Sequence, residues 1–325
     1  MSRTLYVITG GAGFIGSHLC EAIVANDTDS EILAIDNLRS GNLQNLKNSE
    51  SSERVHVSKI DLVTDEINEK IGDAEFVYHL AANPEVRIGK TDTEVDFDNN
   101  ILATRNILEV LRKSEFHGTF LFASTSTVYG EAWVMPTPET YGPLLPVSMY
   151  GASKLACESL ISGYASLFDF RAKIVRFANV VGGRSNHGVI SDFVKKLKTD
   201  SKQLEVLGDG SQSKSYIYFS DCIAGLIACT KLGRDIDVFN LGSDDTINVL
   251  DIARIVIEEM NIRGTNIRTG FGDGVRGGGW PGDVKNMLLD CAKLKQLGWR
   301  STHSSTDAIR LATKDALKLQ NERRS

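Results

Sequence analysis

The chain has 325 residues, a net charge of −6, 42% hydrophobic and 24% charged residues. This is the profile of an ordinary globular protein of about two domains, long enough to bury a large core. It excludes a disordered, collagen-like or coiled-coil chain, and the acidic balance leaves no electrostatic footprint for nucleic acid or an anionic membrane.

From the N-terminus, MSRTLYVITGG lacks the charged-then-apolar-then-small pattern of a secretion signal. LYVIT (5–9) predicts a strand that meets a glycine cluster, and FIGSHLCEAIVAN (14–26) has helical apolar spacing. Further strands are predicted over 31–36, 54–60, 75–81, 119–124 and 172–177, separated by helix-length segments. Near-continuous apolar strands alternating with helices predict a Rossmann-type, doubly wound parallel sheet covered on both faces. PTPETYGPLLP (136–146) predicts an extended surface loop leading into a long helix over 148–168. Past 178 the alternation weakens and glycine-rich stretches appear at 182–188, 208–210 and 270–282. The expected division is therefore a first domain over 1–178, with a segment near 215–242 returning to it, and a smaller α/β substrate-binding domain over 179–325. No apolar run reaches the ~18–20 residues of a membrane helix. Five scattered cysteines make no CxxC and fit a reduced, cytoplasmic chain. The histidines have no ligand spacing, so no metal site is expected.

The first strand runs into Gly10-Gly11-Ala12-Gly13-Phe14-Ile15-Gly16. Gly10 permits a tight turn, Gly13 a close backbone approach, and Gly16 packing of helix on strand. The helix start offers N–H groups and partial positive charge to a pyrophosphate. Asp36, twenty residues past Gly16, stands where an acidic side chain holds ribose hydroxyls, which favours NAD over NADP, although Arg39 lies close enough to accept a 2′-phosphate. Asp61 is open to two readings, a contact to adenine or an ordinary acid at a strand end.

Tyr150 and Lys154 stand four apart in YGASK, hence on one helical face. A phenol with a pKa near 10 is a poor base at neutral pH, so the pair predicts a phenol made more acidic by the ammonium and by the positive nicotinamide of NAD⁺. Ser124, Thr125, Ser126 and Thr127 end the preceding strand, on the side where parallel sheets bind ligands. One of these hydroxyls can bond the reacting oxygen, and the others are expected to cap the next turn.

GGAGFIG, AIDN, HLAA (79–82), STVYG, YGASK and RFANVVG, in this order and spacing, resemble the extended short-chain dehydrogenase/reductase superfamily, and within it the nucleotide-sugar epimerases of the UDP-glucose (UDP-galactose) 4-epimerase type. GDGSQSKSYIY (208–218) and the segment 282–299 are similar to the C-terminal half of these epimerases. The resemblance implies that Tyr150 removes the proton of the sugar 4-hydroxyl as hydride passes to NAD, and that Thr125 bonds the 4-oxygen. Lys154 would hold the nicotinamide ribose. It further implies cofactor contacts from Phe14, Ile15, Asn37, Leu62, Leu80, Ala81, Ala82 and Asn100, in addition to Gly10, Gly13, Gly16, Asp36 and Asp61. Asn179 would hold the UDP-sugar diphosphate, Val206 and Leu207 the uracil, and Lys214 stands where many of these enzymes carry a diphosphate-binding arginine. Ser126 and Thr127 occupy the places of the Asp-Glu pair of dehydratases, which removes the dehydration machinery. Met287 falls near the sugar-gating position.

The expected activity is thus C4 epimerisation of a UDP-hexose by a cytoplasmic enzyme, with dimerisation through the helices near 94–113 and 148–168. Arg184, with Arg87 and His187 as further candidates, leaves open a UDP-glucuronate 4-epimerase or decarboxylase. A non-catalytic NAD-binding protein is a third reading, which the set Thr125, Tyr150 and Lys154 disfavours.

Overall fold

A computed structural model describes residues 3–50, 52–274 and 278–322, so part of the glycine-rich stretch 270–282 lies outside the described residues. Along the chain the elements are β1 (Thr4–Thr9), α1 (Phe14–Asn26), β2 (Ser30–Asp36), α2 (Lys47–Glu50), β3 (Val55–Lys59), β4 (Phe76–His79), α3 (Glu94–Asp96), α4 (Ala103–Lys113), β5 (Thr119–Thr125), α5 (Met149–Phe168), β6 (Arg171–Phe177) and β7 (Asn179–Val181). They continue as α6 (Val189–Thr199), β8 (Gln203–Leu207), β9 (Ser213–Lys214), β10 (Tyr216–Tyr218), α7 (Phe219–Lys231), β11 (Ile236–Leu241), β12 (Ile247–Asn248), α8 (Val249–Glu259), β13 (Asn266–Phe271), β14 (Asn286–Met287), α9 (Ala292–Gln296) and α10 (Ser305–Glu322). Among the described residues no helix is long and apolar enough to cross a membrane.

Seven strands form one sheet in the order β11-β6-β5-β4-β1-β2-β3, the Rossmann arrangement expected from the sequence. Strands β3, β2, β1, β4 and β5 run parallel to their neighbours. The order reverses between β1 and β4, which opens a crevice beyond their carboxyl ends. Alternate residues of a strand face opposite sides of a sheet, and both sets are buried. Val7, Val77, Phe120 and Ile174 join a core with Ile107 and Leu111 of α4 and Ile161 and Ala165 of α5. Their neighbours Ile8, Tyr78, Leu121 and Val175 are buried as well. The stripe Ala103, Ile107, Leu111 repeats every four residues, which is why α4 lies with one face on the sheet.

The chain separates into two compact units. The first holds 1–128, 149–176 and 226–239; the second holds 129–148, 177–225 and 240–325. A returning segment, 226–239, lies in the first unit, while the proline-rich segment belongs with the second, where the Thr137 amide donates to the Leu288 carbonyl at 2.8 Å. The second unit has its own core, in which Phe193 and Val194 of α6, Ile252 and Val256 of α8, and Ile309 and Ala312 of α10 surround Leu204 and Val206 of β8.

Candidate active site

The glycine loop is built from close backbone contacts. Gly10 takes φ 69°, a left-handed conformation, and a Cβ there would lie 2.9 Å from the amide nitrogen of Ala81. At Gly16 a Cβ would fall 2.2 Å from the Gly10 carbonyl oxygen, so α1 can approach the loop only with glycine at this position. Gly13 caps α1 in an extended conformation with no side-chain cap, and no acidic residue stands in the first turn. The amides of Phe14, Ile15 and Gly16 therefore start the helix in the manner of an anion site.

Asp36 lies at the end of β2 and is 8% exposed. Its carboxylate accepts from the amide of Ala12 at 3.0 Å and from that of Leu38 at 2.8 Å, which ties the glycine loop to β2. Each oxygen retains a further lone pair for a ribose hydroxyl. Burial raises the Asp36 pKa, against the lowering effect of the two amides. Gly41 closes over the group, since a Cβ there would lie 2.6 Å from Oδ1. The Asn37 amide donates to Asp61 at 3.1 Å, and the Arg39 guanidinium lies 3.5 Å from the same carboxylate and donates to Asn99. Arg39 is thereby already paired, which weakens its claim on a 2′-phosphate. Leu62 is buried beside them. Leu80, Ala81 and Ala82 follow β4, with the amides of Leu80 and Ala81 donating to Thr9. These contacts form a cradle of backbone and one carboxylate suited to a dinucleotide such as NAD.

The residues expected to react lie on β5 and α5. Thr125 ends β5, where its hydroxyl oxygen accepts from the amide and hydroxyl of Thr127 at 3.2 and 3.1 Å. The Thr125 hydroxyl therefore both caps the turn and keeps its own hydrogen to donate. Ser124 instead donates to the buried Glu158, which is paired with Arg176. Lys154 is buried, its ammonium donating to the Ala123 carbonyl at 2.9 Å, 4.6 Å from the Phe122 ring centre and 6.0 Å from that of Tyr150. Burial pushes Lys154 down to about 8, against the raising effect of Cys157, Asp96 and Glu158. The Tyr150 phenol is raised above its ordinary value by burial, then by Asp96 and Cys157. In the protein without cofactor the Lys154 ammonium is turned to the Ala123 carbonyl, and burial is the main influence on the phenol.

Asn100 lies on a π-helical turn, Phe97–Leu102, that widens the helix predicted over 94–113. Its carbonyl oxygen Oδ1 accepts from the Asn83 amide at 2.9 Å, and its Nδ2 donates to Ser153 at 2.8 Å. Asn83, Asp96 and Ser153 have no mark in the sequence, because isolated polar residues in loops and helices carry no spacing signal. His79 bridges the hydroxyls of Thr9 and Thr104 at 2.8 and 2.9 Å, and burial pushes it down to about 3. It is a neutral packing residue.

Apart from Thr125, the expected substrate residues belong to the second unit. Asn179 begins β7, its amide group donating to the Ser215 carbonyl at 3.0 Å. Arg184 lies in the turn after β7, which Asp315 holds by accepting from the Gly183 amide at 2.7 Å and the Tyr218 hydroxyl at 2.9 Å. Val206 is wholly buried in the core, which leaves its backbone rather than its side chain for a uracil, while Leu207 is partly exposed and accepts from Gln212 at 2.8 Å. Lys214 is paired with Asp283 at 2.6 Å and lies 5.5 Å from the Trp280 ring centre, so its charge is balanced rather than waiting for a diphosphate. Met287 pairs with Lys214 in register between β14 and β9 and is buried. Arg87 lies on a short turn in the first unit, and His187 is exposed in the second.

The chain is similar to known proteins over nearly its whole length. A putative UDP-glucose 4-epimerase of Methanocaldococcus jannaschii is 33% identical over 303 residues, 91% of this chain and 93% of its own. A solved UDP-galactose 4-epimerase is 39% identical with a TM-score of 0.84, covering 97% of this chain and 99% of its own. The UDP-glucuronic acid 4-epimerase of Bacillus cereus, solved with UDP-glucuronic acid and NAD, is 28% identical with a TM-score of 0.85 over 97% of this chain and all of its own. The model of the NAD dependent epimerase/dehydratase family matches residues 6–242, which spans the glycine loop, Asp36, Thr125, Tyr150 and Lys154, and the chain belongs to that family.

Proposed function

We propose that the chain is a 4-epimerase of a UDP-hexose, UDP-glucose or UDP-galactose. The observation that carries this reading is the pairing of Tyr150 with the buried Lys154 on α5, beside Thr125 at the end of β5. Bound NAD supplies a reversible hydride acceptor and a positive ring. Thr125 donates its hydroxyl hydrogen to the sugar 4-oxygen and orients it. Tyr150 takes the proton of the 4-hydroxyl and returns it after the keto sugar has turned. Burial raises the Tyr150 phenol in the protein alone, and the positive ring of bound NAD would favour its ionised form. Lys154 supplies donors for the cofactor ribose once its bond to Ala123 is shared.

Arg184 supports a second reading, a UDP-glucuronate 4-epimerase or decarboxylase, because a guanidinium on a held turn suits a carboxylate. Turnover of a UDP-sugar panel, with Tyr150→Phe as control, separates these. Activity on UDP-galactose that Tyr150→Phe abolishes supports the first reading; inertness to UDP-galactose with turnover of UDP-galacturonate overturns it. Leu167, 77% exposed near the end of α5, supports assembly as a homodimer through the helices α4 and α5, which sedimentation tests.

A further inference from the structure

Asp96 is fully buried at the end of α3, and no step above uses it. Its Oδ1 accepts from Asn83 Nδ2 at 2.9 Å and from Asn100 Nδ2 at 3.3 Å, while its Oδ2 is buried with no hydrogen-bond partner. The amide orientations are fixed independently. The Asn83 carbonyl oxygen accepts from the Glu85 amide, and the Asn100 carbonyl oxygen accepts from the Asn83 amide, so both NH₂ groups turn toward Asp96. Both amides are donors to the carboxylate and, with Lys154, act against burial, which raises the Asp96 pKa above its ordinary value. The two amides and Lys154 are what favour the ionised form.

The carboxylate also sits at the start of α5. A Cβ on Gly89 would lie 2.8 Å from Asp96 Oδ2 and 2.9 Å from Met149 Cβ, so the orphaned oxygen and the residue before Tyr150 share one crowded point. A polar chain links the same groups: Asp96 to Asn100, Asn100 to the Ser153 hydroxyl, and that hydroxyl to the Tyr150 carbonyl at 2.8 Å. A negative charge near a helix N-terminus is favourable. A buried acceptor is rarely left unmade without a role.

We propose that Asp96 is a positioning residue that holds Asn83 and Asn100 against the start of α5 and places a fixed negative charge behind the Tyr150–Lys154 pair. The groups that face it are Lys154 and Tyr150 from α5, the amides of Asn83 and Asn100, and the turn 86–90, which carries Arg87 and Lys90 on either side of Gly89. On its own segment Glu94 and Asp98 lie two residues away. Its charge acts in one direction on both partners: it keeps the buried Lys154 protonated and it holds back ionisation of Tyr150, in each case with Cys157 acting in the same sense. The device therefore sets the pH range of the pair as a unit, with Tyr150 on the acid limb and Lys154 on the alkaline limb.

The proposal rests on the reading of Tyr150 as the base, and its test has an arm that does not. In NAD-loaded protein, a tyrosinate difference titration against Tyr150→Phe follows the Tyr150 phenol alone, with and without Asp96→Asn. The pH dependence of kcat on UDP-galactose is measured in the same proteins. Asp96→Asn is expected to bring the Tyr150 signal to lower pH and to move both limbs of the kcat profile downward together, and Asp96→Glu to return them toward wild type. Asp96→Ser, smaller and able to admit water, repeats the measurement should the asparagine variant not fold. A Tyr150 signal that stays in place, or a profile that loses height evenly with its limbs unmoved, overturns the proposal and leaves Asp96 a structural residue. A Tyr150 signal that shifts in protein inert to every UDP-sugar upholds the placement of Asp96 and sinks the functional reading instead.

Discussion

Removing the guanidinium of Arg176 isolates a buried charge, and the cost can be worked from its geometry. Arg176 and Glu158 form a bidentate pair with contacts of 3.0 and 2.6 Å and side-chain exposures of 5% and 6%. Arg176→Met leaves the Glu158 carboxylate with the hydroxyl of Ser124 and no cation. Breaking a buried pair by removing one partner costs roughly 3–5 kcal/mol, which for a chain of 325 residues lowers Tm by roughly 4–7 °C. The double replacement Arg176→Met/Glu158→Leu removes both charges and is expected to recover most of that loss, because no unpaired ion remains. Urea denaturation of the two single variants and the double variant, followed by circular dichroism, gives the cycle. The pair also touches the chemistry: Glu158 stands one helical turn after Lys154 and helps to keep it charged, so Glu158→Gln is expected to draw the alkaline limb of activity to lower pH. An Arg176→Met variant within about 1 kcal/mol of wild type would refute the reasoning, since that is the scale of an exposed pair.

Gly16→Ala places a Cβ 2.2 Å from the Gly10 carbonyl, and the displacement this forces is expected to weaken NAD binding roughly tenfold or more, read by calorimetric titration. Gly163→Ala, with open space around its Cβ on α5, is the control and is expected to stabilise by up to about 1 kcal/mol without affecting NAD affinity. Lys154 bears on stability with a definite sign. Its native pKa of about 8 lies below the ordinary 10.5, so the unfolded chain binds more protons between those values and stability from this group rises with pH across that window. Below pH 8 the full cost of burying the ammonium is present, so Lys154→Met is expected to be more stable than wild type at pH 7.5 and to lose that advantage toward pH 10, as followed by urea midpoints.

Much of the first unit was legible in the sequence, because its evidence is local. Apolar runs such as LYVIT and TFLFAS give buried strands, and GGAGFIG gives the loop between strand and helix. What stayed hidden depends on distance or burial. Lys214 reads as a cation for phosphate, yet its partner Asp283 lies 69 residues further on, and no spacing rule connects them. Tyr150 reads as an acidified phenol because helical spacing places Lys154 nearby, but spacing does not show that the ammonium turns to Ala123 or that Asp96 approaches from another segment. Val206 reads as a uracil contact from its position, whereas its side chain closes the second core. The π-helical turn at Phe97–Leu102 has no sequence signature beyond an apparently ordinary helix, and it is this turn that carries Asn100 to Asn83 and Ser153.

The claim on which the functional account stands is that a hydride leaves C4 and returns to the same carbon without meeting water. The direct measurement uses UDP-galactose carrying deuterium at C4, turned over by the NAD-loaded protein in ordinary water and examined by mass spectrometry and proton NMR. The account predicts UDP-glucose with the deuterium still at C4, and no product from Tyr150→Phe. Product that has exchanged its C4 deuterium for solvent hydrogen, or undiminished turnover by Tyr150→Phe, would contradict it.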